Sequence, residues 1–216
     1  MLEPKQQAHI DLLIERYPKL DVCRQSIEDA YLMLVNCYEH GGKLLVAGNG
    51  GSAADSEHIA GELMKRFEKP RPVPKEFAGK LVEVDPELGP GLAKNLEQSL
   101  MAIPLVAHEA LTTAYINDVD GLGVFAQQLY GFGRSGDVFL GISTSGNSKN
   151  VINAAVVARA DGIKVIGLTG DKGGKLAQVA DVVIKAPEIE TYKIQECHLP
   201  IYHCLCLMLE DHFFGE

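Results

Sequence analysis

Four hydroxyl side chains crowd one short stretch of this chain: Ser143, Thr144, Ser145 and Ser148, set around Gly146 and Asn147. An apolar run, Val138 to Ile142, leads into them, and a helical pattern follows from about Val151. Strand, polar turn and helix N-terminus make an order suited to anions. The first N–H groups of a helix lack partners within it and stand at the positive end of its dipole. Hydroxyls add donors there without fixed charge, which suits a phosphate monoester. Ser and Thr also favour ordinary helix caps, but four hydroxyls within six positions exceed what one cap needs. The stretch is no nucleotide-binding P-loop. Lys149 lacks glycines at the distances that motif requires.

A second set of residues has the chemistry to move protons or grip a metal. His58 and Glu62 are four apart, so on a helix they share a face. Imidazole and carboxylate at that spacing act as an acid/base pair or as ligands of one divalent ion. The plainer alternative is a surface His–Glu contact. Near the C-terminus stand Gln195, Glu196, His198 and His203. Gln195 and His203 are eight apart, about two turns, and fall on one face. For either His alone, a packed core histidine is the plain alternative. Pro200 lies between them and removes a helical hydrogen bond, so a kink is expected.

The elements that must position these groups alternate after a helical start. Residues 5–17 and 22–40 show helical spacing, with Ile27, Ala30, Leu34 and Cys37 on one face, and Gly41-Gly42 stops the second helix. Lys43 to Gly48 reads as a buried strand and Ser52 to Phe67 as a helix. Val138 to Ile142 is a second strand, with its helix from Asn150 to Ala160. Lys164 to Thr169 is a third strand, Lys175 to Val179 a short helix, and Val182 to Lys185 a fourth strand. A long last helix covers about Ile194 to Phe213. Apolar strands alternating with helices predict an α/β fold with a doubly wound parallel sheet. Ligands of such sheets bind beyond the carboxyl ends of the strands. The loops Asn49 to Ser52 and Ser143 to Ser148 both open there.

Composition narrows the function further. The 216 residues suit one large domain, and the 46% hydrophobic content supplies a substantial core. A net charge of −9 argues against nonspecific nucleic-acid binding. The basic cluster Lys65, Arg66, Lys69, Arg71 and Lys75 is interrupted by Glu68 and reads as a solvated surface or subunit edge. Cys23, Cys37, Cys197, Cys204 and Cys206 form no C-x-x-C pair and read as reduced, mostly buried thiols of a cytoplasmic protein. The first residues have no apolar signal core, and no run approaches the roughly 18 apolar residues of a membrane helix. There is no internal repeat.

Asn49-Gly50-Gly51-Ser52, His58-x-x-x-Glu62, Asn117-Asp118, the Ser143 to Ser148 loop and Gln195-Glu196-x-His198-x-x-x-x-His203 occur in the order used by the SIS (sugar isomerase) fold. Within it, the chain resembles the bacterial phosphoheptose isomerases over roughly residues 5–75 and 105–213. The resemblance implies a single SIS domain with an N-terminal helical arm over about 5–40. Ser143, Thr144, Ser145 and Ser148 would hold the sugar phosphate. Asn49, Gly50, Gly51, Ser52, Asn117 and Asp118 would contact the open-chain sugar, and Gln195 would stand beside them. Glu62 and His203 would be the acid/base couple. His58, Glu62, Gln195 and His203 would match the family's zinc ligands. The resemblance further implies a homotetramer with sites between subunits. Two departures stand out: a segment over about 76–104 that reads as an insertion of roughly 25 residues against ordinary connections, and Tyr192 where the family has Asp. Both bear on the sugar more than on the reaction.

A ketose phosphate becomes an aldose phosphate by proton movement between adjacent carbons through an enediol. Glu62 suits the carbon-bound proton and His203 the protons on oxygen. A metal would polarise the carbonyl, and the phosphate would supply positioning energy at a distance. Two non-catalytic roles also use this fold: a sugar-phosphate sensor and a DnaA-binding type of regulator. The presence of both Glu62 and His203 favours catalysis, and no sequence is left over for a DNA-binding domain.

Overall fold

The computed structural model describes residues 2–215. Two helices come first, α1 (Pro4–Arg16) and α2 (Arg24–Glu39), joined by the 3-10 turn Pro18–Cys23. Then follow β1 (Leu44–Ala47), α3 (Gly51–Met64), α4 (Lys75–Val84), α5 (Gly89–Asn95), β2 (Ala102–Pro104), α6 (Glu109–Asp118) and α7 (Val124–Phe132). The last part is β3 (Val138–Ser143), α8 (Lys149–Ala160), β4 (Lys164–Gly170), α9 (Leu176–Val179), β5 (Val182–Ala186) and α10 (Thr191–Phe214).

All strand pairs are parallel, in the order β2-β1-β3-β4-β5. Parallel strands covered on both faces must be apolar at every position, and β1 and β3 are buried throughout. One face packs on α1, α2, α3 and α10 through Ile27, Leu34, Leu63, Ile201 and Leu205. The other packs on α7 and α8 through Phe125, Leu129, Ala154 and Ala158. Fully burying each Leu or Ile contributes about 1.5–3 kcal/mol. The doubly wound α/β expectation is met.

Three readings change. A fifth strand, β2, occupies the edge; it has three residues and ends in Pro104, too short and too poor in donors to show an apolar run. Within the segment 76–104, read as an insertion, helix ends at Asn95. The last helix starts at Thr191, with no side-chain cap from Glu190 before it, and so takes in Tyr192. Sequence patterning also left α4, α6 and α7 unassigned.

The basic cluster is not wholly solvated either. The Arg71 side chain is fully buried and pairs with Glu210. Lys69 pairs with Asp211, Arg66 with Glu97 and Lys65 with Glu62. The five cysteines are free and buried. Among the described residues no helix is long and apolar enough to cross a membrane.

His198 is a core histidine. Its Nε2 donates to the Thr169 carbonyl at 3.1 Å, and its Nδ1 has no hydrogen-bond partner. Burial pushes its pKa down to about 4. Above the ordinary histidine value both folded and unfolded states hold a neutral ring, so His198 adds no pH dependence. As pH falls toward 4 the unfolded chain takes up a proton and the folded chain does not. Stability is therefore lost through that window, by about 3 kcal/mol at its acid end. Urea unfolding at neutral pH and near pH 4 should show this loss in the parent and not in His198→Gln. Equal losses in the two proteins would disprove it.

Candidate active site

β3 and α8 frame the hydroxyl loop. Ser148 takes extended backbone just before α8 and its side chain does not cap the helix. Ser143 Oγ lies 2.9 Å from Ser148 Oγ instead. No Ser148 side-chain cap closes the helix end, and of its first-turn amides the Val151 N–H donates to Asn150 Oδ1 at 3.0 Å. Ser145 Oγ accepts the Asn147 N–H at 3.1 Å, and Asn147 Oδ1 accepts the Lys175 N–H at 3.1 Å. Gly146 has φ +65°, and an added Cβ would run into the Gly173 carbonyl. Only glycine lets the loop lie this close to the turn after β4.

β1 sits beside β3, so its loop opens next to this one. Asn49 and Asn150 exchange two side-chain hydrogen bonds, at 3.0 and 2.8 Å, and tie the loops together. Asn150 escaped the sequence reading; the available signal was its place in the first turn after the hydroxyl loop. Gly50 has φ +57° as it turns the chain into α3, while Ser52 is buried in the first turn. Gly48, Asn49, Gly50 and Asn150 border an open hollow whose far wall includes Thr112 and Ile116. Asn117 and Asp118 follow Ile116, are exposed, and pair with each other at 2.8 Å. They stand beside the hollow and do not line it.

The acid/base candidates meet elsewhere, between α3 and α10. His58 Nε2 lies 3.1 Å from Glu62 Oε1 and 3.4 Å from His203 Nε2. The His58 ring meets His203 edge to face, and the Phe67 ring lies 5.3 Å from His203. The Glu62 side chain is 14% exposed and that of His58 42%, so the group faces the surface from a shielded base. Burial, followed by the nearby His58, lowers the His203 pKa. His203 also lines a largely apolar groove between α1 and α10, with Leu12, Arg16 and Tyr17 opposite.

Gln195 does not join this trio. A Cβ placed on Gly51 would stand 2.5 Å from Gln195 Nε2, so the amide lies against the start of α3. Among the described residues no group of three or more His, Cys, Asp and Glu is placed so that it could hold a metal ion. Imidazole and carboxylate are nevertheless donor types that zinc accepts.

A family model described as SIS domain matches residues 19–102 and 91–170. The phosphoheptose isomerase of Aneurinibacillus thermoaerophilus is 39% identical over 87% of this chain and 82% of its own. The chain belongs to the phosphoheptose isomerase family of SIS-domain proteins. A second family member, the phosphoheptose isomerase of Rhodospirillum rubrum, is 36% identical over 97% of this chain and 98% of its own. The fold follows the family too. A solved phosphoheptose isomerase from Francisella tularensis, 30% identical, superimposes with a TM-score of 0.75 over 95% of this chain and 96% of that one.

Proposed function

We propose that this chain interconverts a ketose phosphate and an aldose phosphate through an enediol, with sedoheptulose 7-phosphate and a heptose 7-phosphate as the pair. Membership of the phosphoheptose isomerase family supports a sugar-phosphate isomerase. The meeting of Glu62 and His203 around His58 carries the residue assignment.

Glu62 takes the proton from one carbon and returns it to the next. His203, kept neutral near pH 7 by its lowered pKa, passes protons between the two oxygens. Ser143, Thr144, Ser145 and Ser148 hold the phosphate with the open end of α8. Asn49, Gly50, Gly51, Ser52, Asn117, Asp118 and Gln195 orient the sugar. His58, Glu62 and His203, with Gln195 as the fourth ligand the resemblance implies, would hold zinc. Bound there, zinc would stabilise the negative oxygen of the enediolate.

Glu62 lies eleven residues beyond Gly51, about 16 Å along the helix. The phosphate loop stands near the start of α3 and the acid/base trio near its end. This separation is why we place each working site between chains, in a homotetramer.

The test is incubation with phosphorylated and unphosphorylated ketoses in deuterated water, with products read by NMR. Sedoheptulose 7-phosphate should give an aldose that carries solvent deuterium, and the free sugar should bind poorly. Ser148→Ala should weaken substrate binding by about 1–3 kcal/mol through a lost hydrogen bond to a charged oxygen. Equal affinity with and without the phosphate would remove the phosphate-loop assignment. No turnover of any ketose phosphate would remove the reaction.

A further inference from the structure

We infer that Asn150 is a positioning residue that holds the side-chain amide of Asn49 in one of its two orientations toward the sugar. The inference rests on the proposed contact of Asn49 with the open-chain sugar. Asn49 lies just beyond β1, and Asn150 stands in the first turn of α8, just beyond β3. Each amide donates to the other: Asn49 Nδ2 to Asn150 Oδ1 at 3.0 Å, and Asn150 Nδ2 to Asn49 Oδ1 at 2.8 Å. The Asn49 carbonyl accepts the Ser52 N–H at 3.1 Å. The main chain there is tied down, and the side chain is what can still turn.

A reciprocal amide pair does not fix its own direction. Turning both carboxamides over exchanges oxygen for nitrogen on each and restores two equally good bonds. A third contact breaks the tie. Asn150 Oδ1 also accepts the Val151 N–H at 3.0 Å. Val151 is the third residue of α8, so its N–H has no partner within the helix and needs an acceptor. With the amides turned over, the Asn150 NH2 would face that N–H donor to donor. The Asn150 oxygen therefore points at Val151, its nitrogen at Asn49 Oδ1, and the Asn49 nitrogen back at Asn150. The start of one helix thus sets the direction of an amide on another strand's loop.

The remaining valences give the consequence. Both lone pairs of Asn150 Oδ1 are used, and one N–H of its amide is left. Asn49 keeps one N–H and one lone pair. Both residues border the same hollow, so a sugar hydroxyl entering it meets a donor and an acceptor in fixed places. Without Asn150, the Asn49 amide turns freely and presents them in either order.

Asn150→Ala, Asn49→Ala and the double variant test this. Side-chain amide NMR reads the orientation without substrate, the Asn49 signals being those lost in Asn49→Ala. In the parent one Asn49 amide proton should exchange slowly with water and the other fast; in Asn150→Ala both should exchange fast. Asn150→Ala should lower kcat/KM on the order of 10- to 100-fold, the usual scale for a misplaced positioning group. Because Asn150 acts through Asn49, the double variant should be little worse than the worse single one. Inorganic phosphate should bind Asn150→Ala as tightly as the parent, since the hydroxyl loop is untouched. Losses that multiply in the double variant, a fall in phosphate binding that matches the fall in kcat/KM, or Asn49 protons that exchange alike with and without the Asn150 side chain would overturn the inference. A parent with the slow Asn49 proton and no isomerase activity would leave the amide clamp standing and remove only the functional reading.

Discussion

Glu62→Gln and His203→Gln will each lower turnover by a factor of about 10²–10⁴, the usual worth of a positioned acid or base. Gln at position 62 keeps the size and hydrogen bonding of the side chain and cannot take a proton. Gln at 203 keeps one polar atom near His58 and loses the titrating ring. Both side chains belong to one contact group, so they should act as a unit. The double variant is then expected to be little worse than the worse single one. Single-turnover and steady-state rates on the same ketose phosphate measure this, with folding followed by circular dichroism. A double variant that turns over at the parent rate would sink the mechanism. Independent, multiplying losses would sink only the unit behaviour.

Breaking the pair between Arg71 and Glu210 will be the most destabilising single change outside the apolar core. Both side chains are essentially without solvent contact, and Arg71 Nη2 lies 2.8 Å from Glu210 Oε1. The guanidinium also donates to the Leu63 carbonyl at 2.8 Å and the Glu62 carbonyl at 3.2 Å. Glu210 accepts the backbone N–H groups of Phe67 and Glu68, each at 2.8 Å. Arg71 Cζ stacks 4.5 Å from the Phe214 ring centre. Burial pushes the Glu210 pKa up, but those two amides and Arg71 outweigh it and the net shift is downward.

Arg71→Leu removes the counter-charge and takes a hydrogen bond from the Glu62 and Leu63 carbonyls at the end of α3, of which Leu63 keeps the Leu100 N–H at 3.0 Å. The expected cost is about 3–5 kcal/mol. Urea unfolding measures it, and a loss under about 1 kcal/mol would show that the pair is dispensable. Since the lost donors hold the backbone of Glu62 and Leu63, turnover should fall as well, even at temperatures where the variant stays folded. Adding Glu210→Leu should cost less than the sum of the two single changes, because the second removes the charge the first had stranded.

Much of this protein is written locally. β1, β3, β4 and β5 show as apolar runs because a parallel strand covered on both faces tolerates little else. The hydroxyl loop is legible because strand, turn and helix start are consecutive in sequence. His58 and Glu62 are legible as a pair because helical geometry brings positions four apart together. The short edge strand β2 was not, since Pro104 and three residues carry no periodicity.

The tertiary structure decided what local spacing cannot carry. His203 reaches His58 across 145 positions, and Tyr202 reaches it across 144. The resemblance implied the first contact, but residue spacing implies neither; both depend on how α10 lies against α3 over the shared core. Asn150 meets Asn49 only because β1 and β3 are neighbours in the sheet. Arg71 looked like one charge in a solvated cluster, and only the fold gave it Glu210 on a helix 139 positions away. The amide of Gln195 was expected beside His203 and lies against Gly51 instead, because a shared helical face does not settle where a long side chain points. Sequence sets which groups are available within each element, while the packing angle and register between elements set which of them touch.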